Sequence, residues 1–126
     1  MEILCKSYLA ALNAGDLEAV LALFTPNAVV YSPLYGKKNA RDFYTELFQD
    51  TAESETTHIN TFLSPDDNSS VALQFKYVWT LDNGEKVEFE CVDVFKVCPT
   101  SKRFTELKII YDTYPIRSTH AKSKEK

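Results

Sequence analysis

The clearest pattern in the chain is a two-residue alternation. From Val71 to Leu81 the odd positions Val71, Leu73, Phe75, Tyr77, Trp79 and Leu81 are large and apolar, while Gln74, Lys76 and Thr80 occupy the other face. That period predicts a strand with one buried side. Asp82-Asn83-Gly84 predicts a hairpin, because Asn-Gly supplies the positive φ that tight turns need. From Lys86 to Cys98 the alternation resumes: Val87, Phe89, Cys91, Asp93, Phe95 and Val97 share a face, and Asp93 is the one charge on it. Pro99 to Lys102 turns the chain. Phe104 to Tyr114 predicts a last strand, with Leu107, Ile109 and Tyr111 opposite Glu106, Lys108, Ile110 and Asp112, and Pro115 ends it.

Upstream the period becomes helical. Leu4, Tyr8, Ala11 and Leu12 form one stripe, so the Tyr8 hydroxyl projects toward whatever the helix packs on. Gly15 suits the residue after a helix and Asp16 the N-cap of the next. In that second helix Leu17, Val20, Leu21 and Phe24 form a stripe that Pro26 stops, after which Ala28 to Tyr31 enters a strand. Ser32 to Gly36 reads as a loop, and Lys38 to Gln49 as an amphipathic helix with Ala40, Phe43, Tyr44, Leu47 and Phe48 inward. Asp50 to Thr56 reads as a polar loop, Thr57 to Leu63 as a short strand, and Ser64 to Ser70 as a turn cluster. Residues 1–116 make one domain; the lysine-rich stretch 117–126 reads as a disordered polar tail.

Helices followed by a meander of strands with one bulky apolar face argue an α+β fold, a strongly curved sheet wrapped around the N-terminal helices. Ala72, Val78, Val92, Val94 and Ile110 put apolar side chains on the outer face, which predicts a homodimer through that face.

With 126 residues the chain fits a single domain that buries roughly two thirds of its unfolded surface. Its 14 basic and 18 acidic residues, without a basic stripe outside the tail, give nucleic-acid binding little electrostatic support. No segment approaches the length of a membrane span, and the N-terminus lacks a signal-like pattern, which together read as a soluble cytoplasmic protein with no membrane partner. Three cysteines without a CxxC read as small apolar residues rather than a disulfide framework. His58 and His120 have no ligand-like neighbours, so neither a metal nor any other cofactor is expected.

The run Tyr8-Leu9-Ala10-Ala11-Leu12-Asn13-Ala14-Gly15-Asp16-Leu17, with Ala22-Leu23-Phe24, Pro33, Arg41-Asp42-Phe43-Tyr44 and Val92-Asp93-Val94-Phe95-Lys96, resembles the SnoaL-like and ketosteroid-isomerase-like branch of the nuclear transport factor 2-like superfamily. The resemblance spans about Leu4 to Tyr114, and its Asn-Ala-Gly-Asp corner is fairly specific. It implies a cone-shaped mixed sheet of the cystatin-like kind, whose open end leaves a pocket between sheet and helices. It also implies that Tyr8 is an oxyanion-hole tyrosine and Asp93 an aspartic acid kept protonated by an apolar site, the arrangement known from ketosteroid isomerase. The family's isomerases carry an aspartate base immediately before the proline of the first strand, where this chain has Ser32 before Pro33.

Tyr8 and Asp93 are therefore the leading catalytic candidates. A carboxyl among Phe75, Trp79, Phe89 and Phe95 loses hydration when charged, so its pKa rises and it can donate to a carbonyl oxygen. The alternative is that Asp93 bonds Tyr8 or backbone and anchors the core. Ser32 is a third candidate, as a ligand- or water-binding hydroxyl rather than a base. Asp112 reads as an outward residue that pairs with Arg117 or caps the turn, His58 as a solvated rim histidine, and Glu88 and Glu90 as solvated charges. Phe43, Leu47, Phe75, Tyr77, Trp79, Phe89, Phe95 and Tyr111 are candidate walls, suited to a hydrophobic or aromatic small molecule. The leading expectation is a SnoaL-like isomerase, cyclase or dehydratase; the alternatives are a non-catalytic ligand-binding or dimerisation module, or a protein-interaction role.

Overall fold

The computed structural model describes residues 1–65 and 69–124. Helix α1 (Glu2–Ala14) buries Cys5, Tyr8, Leu9, Ala11 and Leu12 on one face. Gly15 ends it in the left-handed region at φ 64°, as its position predicts, and the Gly15 and Asp16 amides close the last turn on Leu12 and Ala11 carbonyls. The Asp16 carboxylate accepts from the Ala19 amide and starts the short helix α2 (Leu17–Leu21).

The second helix stops earlier than its apolar stripe predicts. Phe24 belongs to strand β1 (Phe24–Ser32), and Pro26 lies inside that strand instead of terminating the helix. The cause is long-range: the Phe104 amide donates to the Leu23 carbonyl, and Phe24 pairs with Phe104 in a parallel ladder. The register shifts between Phe24 and Val29, so the proline sits where the ladder is interrupted.

Two further elements lie where loops or helix are predicted. Gly36–Asn39 forms strand β2, paired back on β1 with Ser32 opposite Gly36, and helix α3 (Ala40–Gln49) starts only after it, with the Asn39 side chain accepting from the Asp42 amide. Strand β3 runs unbroken from Thr51 to Leu63, although 50–56 is polar enough to read as a loop. It is an edge strand held by its ladder with β4, so its side chains need not be apolar. Of the turn cluster that follows, Asp66, Asp67 and Asn68 lie outside the described residues.

Strands β4 (Ser70–Leu81), β5 (Lys86–Val97) and β6 (Phe104–Ile110) keep the predicted alternation; on β4 every odd position is buried. The described strands form one sheet in the order β2-β1-β6-β5-β4-β3, antiparallel except for the β1–β6 pair. Helix α1 packs over β3, and α3 over β1 and α2, so the curved sheet encloses the helices in a mixed α+β fold. Strand β6 ends at Ile110, earlier than its sequence pattern predicts, and Tyr111 reaches the interior from beyond the ladder.

The C-terminal stretch departs most from expectation. Arg117–Lys124 is helix α4, not a disordered tail, and Ile116 before it is 1% exposed. Its order comes from side chains that reach back to residues far away in sequence, His120 to Tyr35 and Lys124 to Asp50; residues 125 and 126 lie outside the described part. No helix among the described residues is long and apolar enough to cross a membrane.

The outer sheet face carries half-buried Ala72, Val78, Val92 and Val94 with exposed Ile110. Polar pairs run between these apolar residues: Gln74 donates to Glu90, and Lys76 and Lys96 pair with Glu88 and Glu106.

Candidate functional site

The cavity lies between the inner sheet face and helices α1 and α3. Asp93 sits in the middle of β5, paired with Leu73 on one side and Ile109 on the other, and is 1% exposed. Tyr8 reaches the same cavity from α1, so the structure brings the leading pair together as the helical and strand periods require. Ser32, at the end of β1, borders it as well.

Burial pushes the Asp93 carboxyl from 3.8 up to about 7; hydrogen bonds from the Cys91 thiol and Tyr8 hydroxyl pull it down without cancelling that rise. The Cys91 sulfur lies 3.2 Å from Asp93 Oδ1. Burial and the neighbouring Asp93 raise the thiol's own pKa, so it is a weak donor rather than a nucleophile. The Tyr8 oxygen is 2.7 Å from that of Tyr44, and burial holds both phenols well above their ordinary pKa. When Tyr44 donates to Tyr8, the Tyr8 proton is directed at Asp93 and the cavity floor. Below about pH 7 the floor thus offers two neutral oxygen acids, which suits an oxygen that gains negative charge.

The Ser32 hydroxyl is engaged by its own turn. Its Oγ accepts from the Leu34 amide at 3.2 Å and the Tyr35 amide at 3.1 Å, which closes the turn after β1. Its remaining capacity is to donate one hydrogen bond.

Seven of the eight predicted walls border the cavity: Phe43, Leu47, Phe75, Tyr77, Trp79, Phe89 and Tyr111. Phe95 does not. Its ring is stacked 3.9 Å from Phe104 and packs edge-on to Tyr8 at 5.1 Å, fully buried where α1 meets β5 and β6. Tyr77 is fixed by a 2.7 Å bond between its hydroxyl and Ser54. The cavity holds about 440 Å3 of atom-free space including its mouth, and a water's centre fits within about 40 Å3 of it. It is a narrow aromatic slot.

His58 is exposed and its Nε2 is bonded to Thr61 Oγ1; Asp112 is exposed and accepts from the Tyr114 amide, in the turn-capping manner expected of it. Neither borders the cavity. No group of three or more histidine, cysteine or acidic side chains capable of holding a metal occurs among the described residues.

A second polar cluster lies behind the walls Tyr35 and Trp79. The Tyr35 hydroxyl donates to Asp50 Oδ2 at 2.5 Å, and Lys124 Nζ donates to Asp50 Oδ1 at 2.7 Å. His120 Nε2 is 3.2 Å from the Tyr35 hydroxyl and 3.4 Å from Asp50 Oδ2, and its ring stacks on Trp79. Burial raises the Asp50 pKa, but the Lys124 and Tyr35 hydrogen bonds, then the Lys124 charge and His120, outweigh it and leave the carboxyl below its ordinary 3.8. Sequence reading misses this cluster because its hydrogen-bonded pairs lie 15 to 85 positions apart and none of its members falls on an apolar stripe. The acidic Asp50 directly after α3 is the nearest thing to a local signal.

The model of the SnoaL-like domain family matches residues 5–106. No curated protein matches the chain significantly. Solved structures match at low identity. One is a candidate polyketide cyclase from Pseudomonas putida KT2440, 18% identical with TM-score 0.75, over 89% of this chain and 91% of that one. Another is a protein of ketosteroid isomerase-like fold from Catenulispora acidiphila DSM 44928, in complex with trimethylamine, at 10% and 0.77 over 94% and 92%. A third, TerC co-crystallised with polyporic acid, is similar at 14% and 0.78 over 95% and 97%. These likenesses show the nuclear transport factor 2-like fold.

Proposed function

The chain belongs to the SnoaL-like domain family, and on that footing we propose that its slot binds a flat apolar or aromatic carbonyl compound and promotes isomerisation, cyclisation or dehydration through an enol. The observation that carries this reading is Asp93, a lone acid buried on the cavity floor with its pKa raised to about 7. A neutral carboxyl and the Tyr8 hydroxyl both donate to the carbonyl oxygen, and both bonds strengthen as that oxygen becomes an enolate. The aromatic walls leave little room for water, so those bonds act in a lowered dielectric. A small-molecule ligand of this kind is supported by the neighbour described as a candidate polyketide cyclase and by the one co-crystallised with polyporic acid.

A binding-only module is the second reading, favoured by Ser32 in place of an acidic base and by the narrowness of the slot. The two readings share the binding prediction and separate on turnover. The probe is 2-naphthol, the aromatic counterpart of the enol of 2-tetralone, followed by its fluorescence on titration. Tyr8→Phe and Asp93→Leu should each weaken its binding roughly 10- to 100-fold, the value of a hydrogen bond to a charge-bearing oxygen. Unchanged affinity in both variants removes the floor from the site.

The reading also includes a homodimer through the outer face. Val94 lies among the half-buried apolar residues of that face, so Val94→Lys should yield a monomer in sedimentation. An unchanged dimer mass contradicts that interface.

A further inference from the structure

The carbonyl-polarising reading needs a group that removes a proton from carbon, and neither Ser32 nor the acid Asp93 supplies it. We propose that Tyr35 is the proton-transfer residue of the slot, with His120 and Asp50 behind it as positioning residues. This inference rests on the reading above and completes its chemistry.

Tyr35 is the member of the second cluster that borders the cavity. Its hydroxyl donates to Asp50 Oδ2 at 2.5 Å, and His120 Nε2 lies 3.2 Å from the same oxygen, an acceptor in the tautomer that carries its proton on Nδ1. The imidazole is held in place on both sides, stacked on Trp79 at 5.7 Å between ring centres and edge-on to Tyr35 at 5.3 Å. Its side chain is only 14% exposed. Lys124 occupies Asp50 Oδ1, so Oδ2 faces the phenol and the imidazole. The groups that face His120 are therefore Tyr35 from the turn after β1, Asp50 from the end of α3 and Lys124 from its own helix.

In the step the structure supports, the C–H bond beside the carbonyl breaks and its electron pair enters the new C=C bond. The carbonyl oxygen takes the charge against Tyr8 and Asp93. The released proton goes to the Tyr35 oxygen while the Tyr35 proton passes to His120 Nε2, and the resulting imidazolium faces the Asp50 carboxylate. Return of the proton to the same or another carbon restores every group. Passage has to be concerted, because burial and the Asp50 bond hold the Tyr35 hydroxyl well above its ordinary pKa and a free phenolate is inaccessible. The Asp50 carboxylate lies 3.4 Å from that same nitrogen, where its charge favours the imidazolium.

The test is α-hydrogen exchange of 2-tetralone in D2O with the full chain, followed by proton NMR beside 2-naphthol affinity. Tyr35→Phe and His120→Gln should each slow exchange roughly 100-fold or more and leave 2-naphthol binding unchanged. Undiminished exchange in Tyr35→Phe overturns the proposal, as does parallel loss of naphthol binding in both variants, which makes the cluster purely structural. A wild-type protein that binds 2-naphthol without exchanging 2-tetralone overturns the relay and leaves the carbonyl site standing. One that does not bind 2-naphthol overturns the site itself and the relay with it.

Discussion

Between about pH 4 and pH 7 the wild-type protein should lose on the order of 4 kcal/mol of stability that Asp93→Asn does not lose. The figure follows from the interval between 3.8 and about 7, at ~1.4 kcal/mol for each tenfold. The sign follows from which state holds the proton. In that window folded Asp93 is protonated and unfolded Asp93 is not, so rising pH favours the unfolded chain. The stability linked to this proton is full below the unfolded pKa and gone once pH passes the folded one. Asp50 acts in the opposite sense: its folded pKa is lowered, so its contribution is present above the unfolded pKa and is lost as pH falls through the folded value, below this window. Urea unfolding of both proteins at several pH values measures the difference, and parallel profiles contradict a buried neutral Asp93.

Phe95→Ala should lower stability by about 3–5 kcal/mol and the melting temperature by roughly 10–20 °C, with 2-naphthol affinity retained. The ring is fully buried, stacked on Phe104 and edge-on to Tyr8, and does not border the slot. Phe89→Ala should do the reverse. Phe89 is half-buried, borders the slot and packs on Tyr111 at 4.7 Å, so its loss removes ligand contact more than core. Thermal melts and naphthol titrations of the two variants separate wall from core, and equal behaviour contradicts that division.

Both expectations rest on features that differ in how far the sequence shows them. The odd face of β4 and β5 is legible because burial on one side forces a strict two-residue period, and that period alone places Asp93 inward. The α1 stripe places Tyr8 opposite by the same logic, and the Gly15-Asp16 corner marks its end by local chemistry. What local pattern does not carry is pairing at a distance. Phe24 reads as helix until Phe104 claims it for a parallel ladder, and the first half of β3, 51–56, reads as a loop until β4 pairs with it. Helix α4 lacks a strong apolar face, and its order depends on Asp50 and Tyr35, more than 70 positions upstream. Phe95 and Phe89 share a face of β5, so periodicity alone does not tell core from wall; the closure of the sheet against α1 does.

The most direct test of the site is the pKa of Asp93 itself, measured by carboxyl carbon-13 NMR from about pH 3 to 10, with Asp93→Asn to assign the resonance. A value near 7 is expected, the mark of a neutral carboxyl in a dry site, poised to donate to a carbonyl oxygen. A value at or below the unperturbed ~3.9 means a hydrated or ion-paired carboxylate, and contradicts the account.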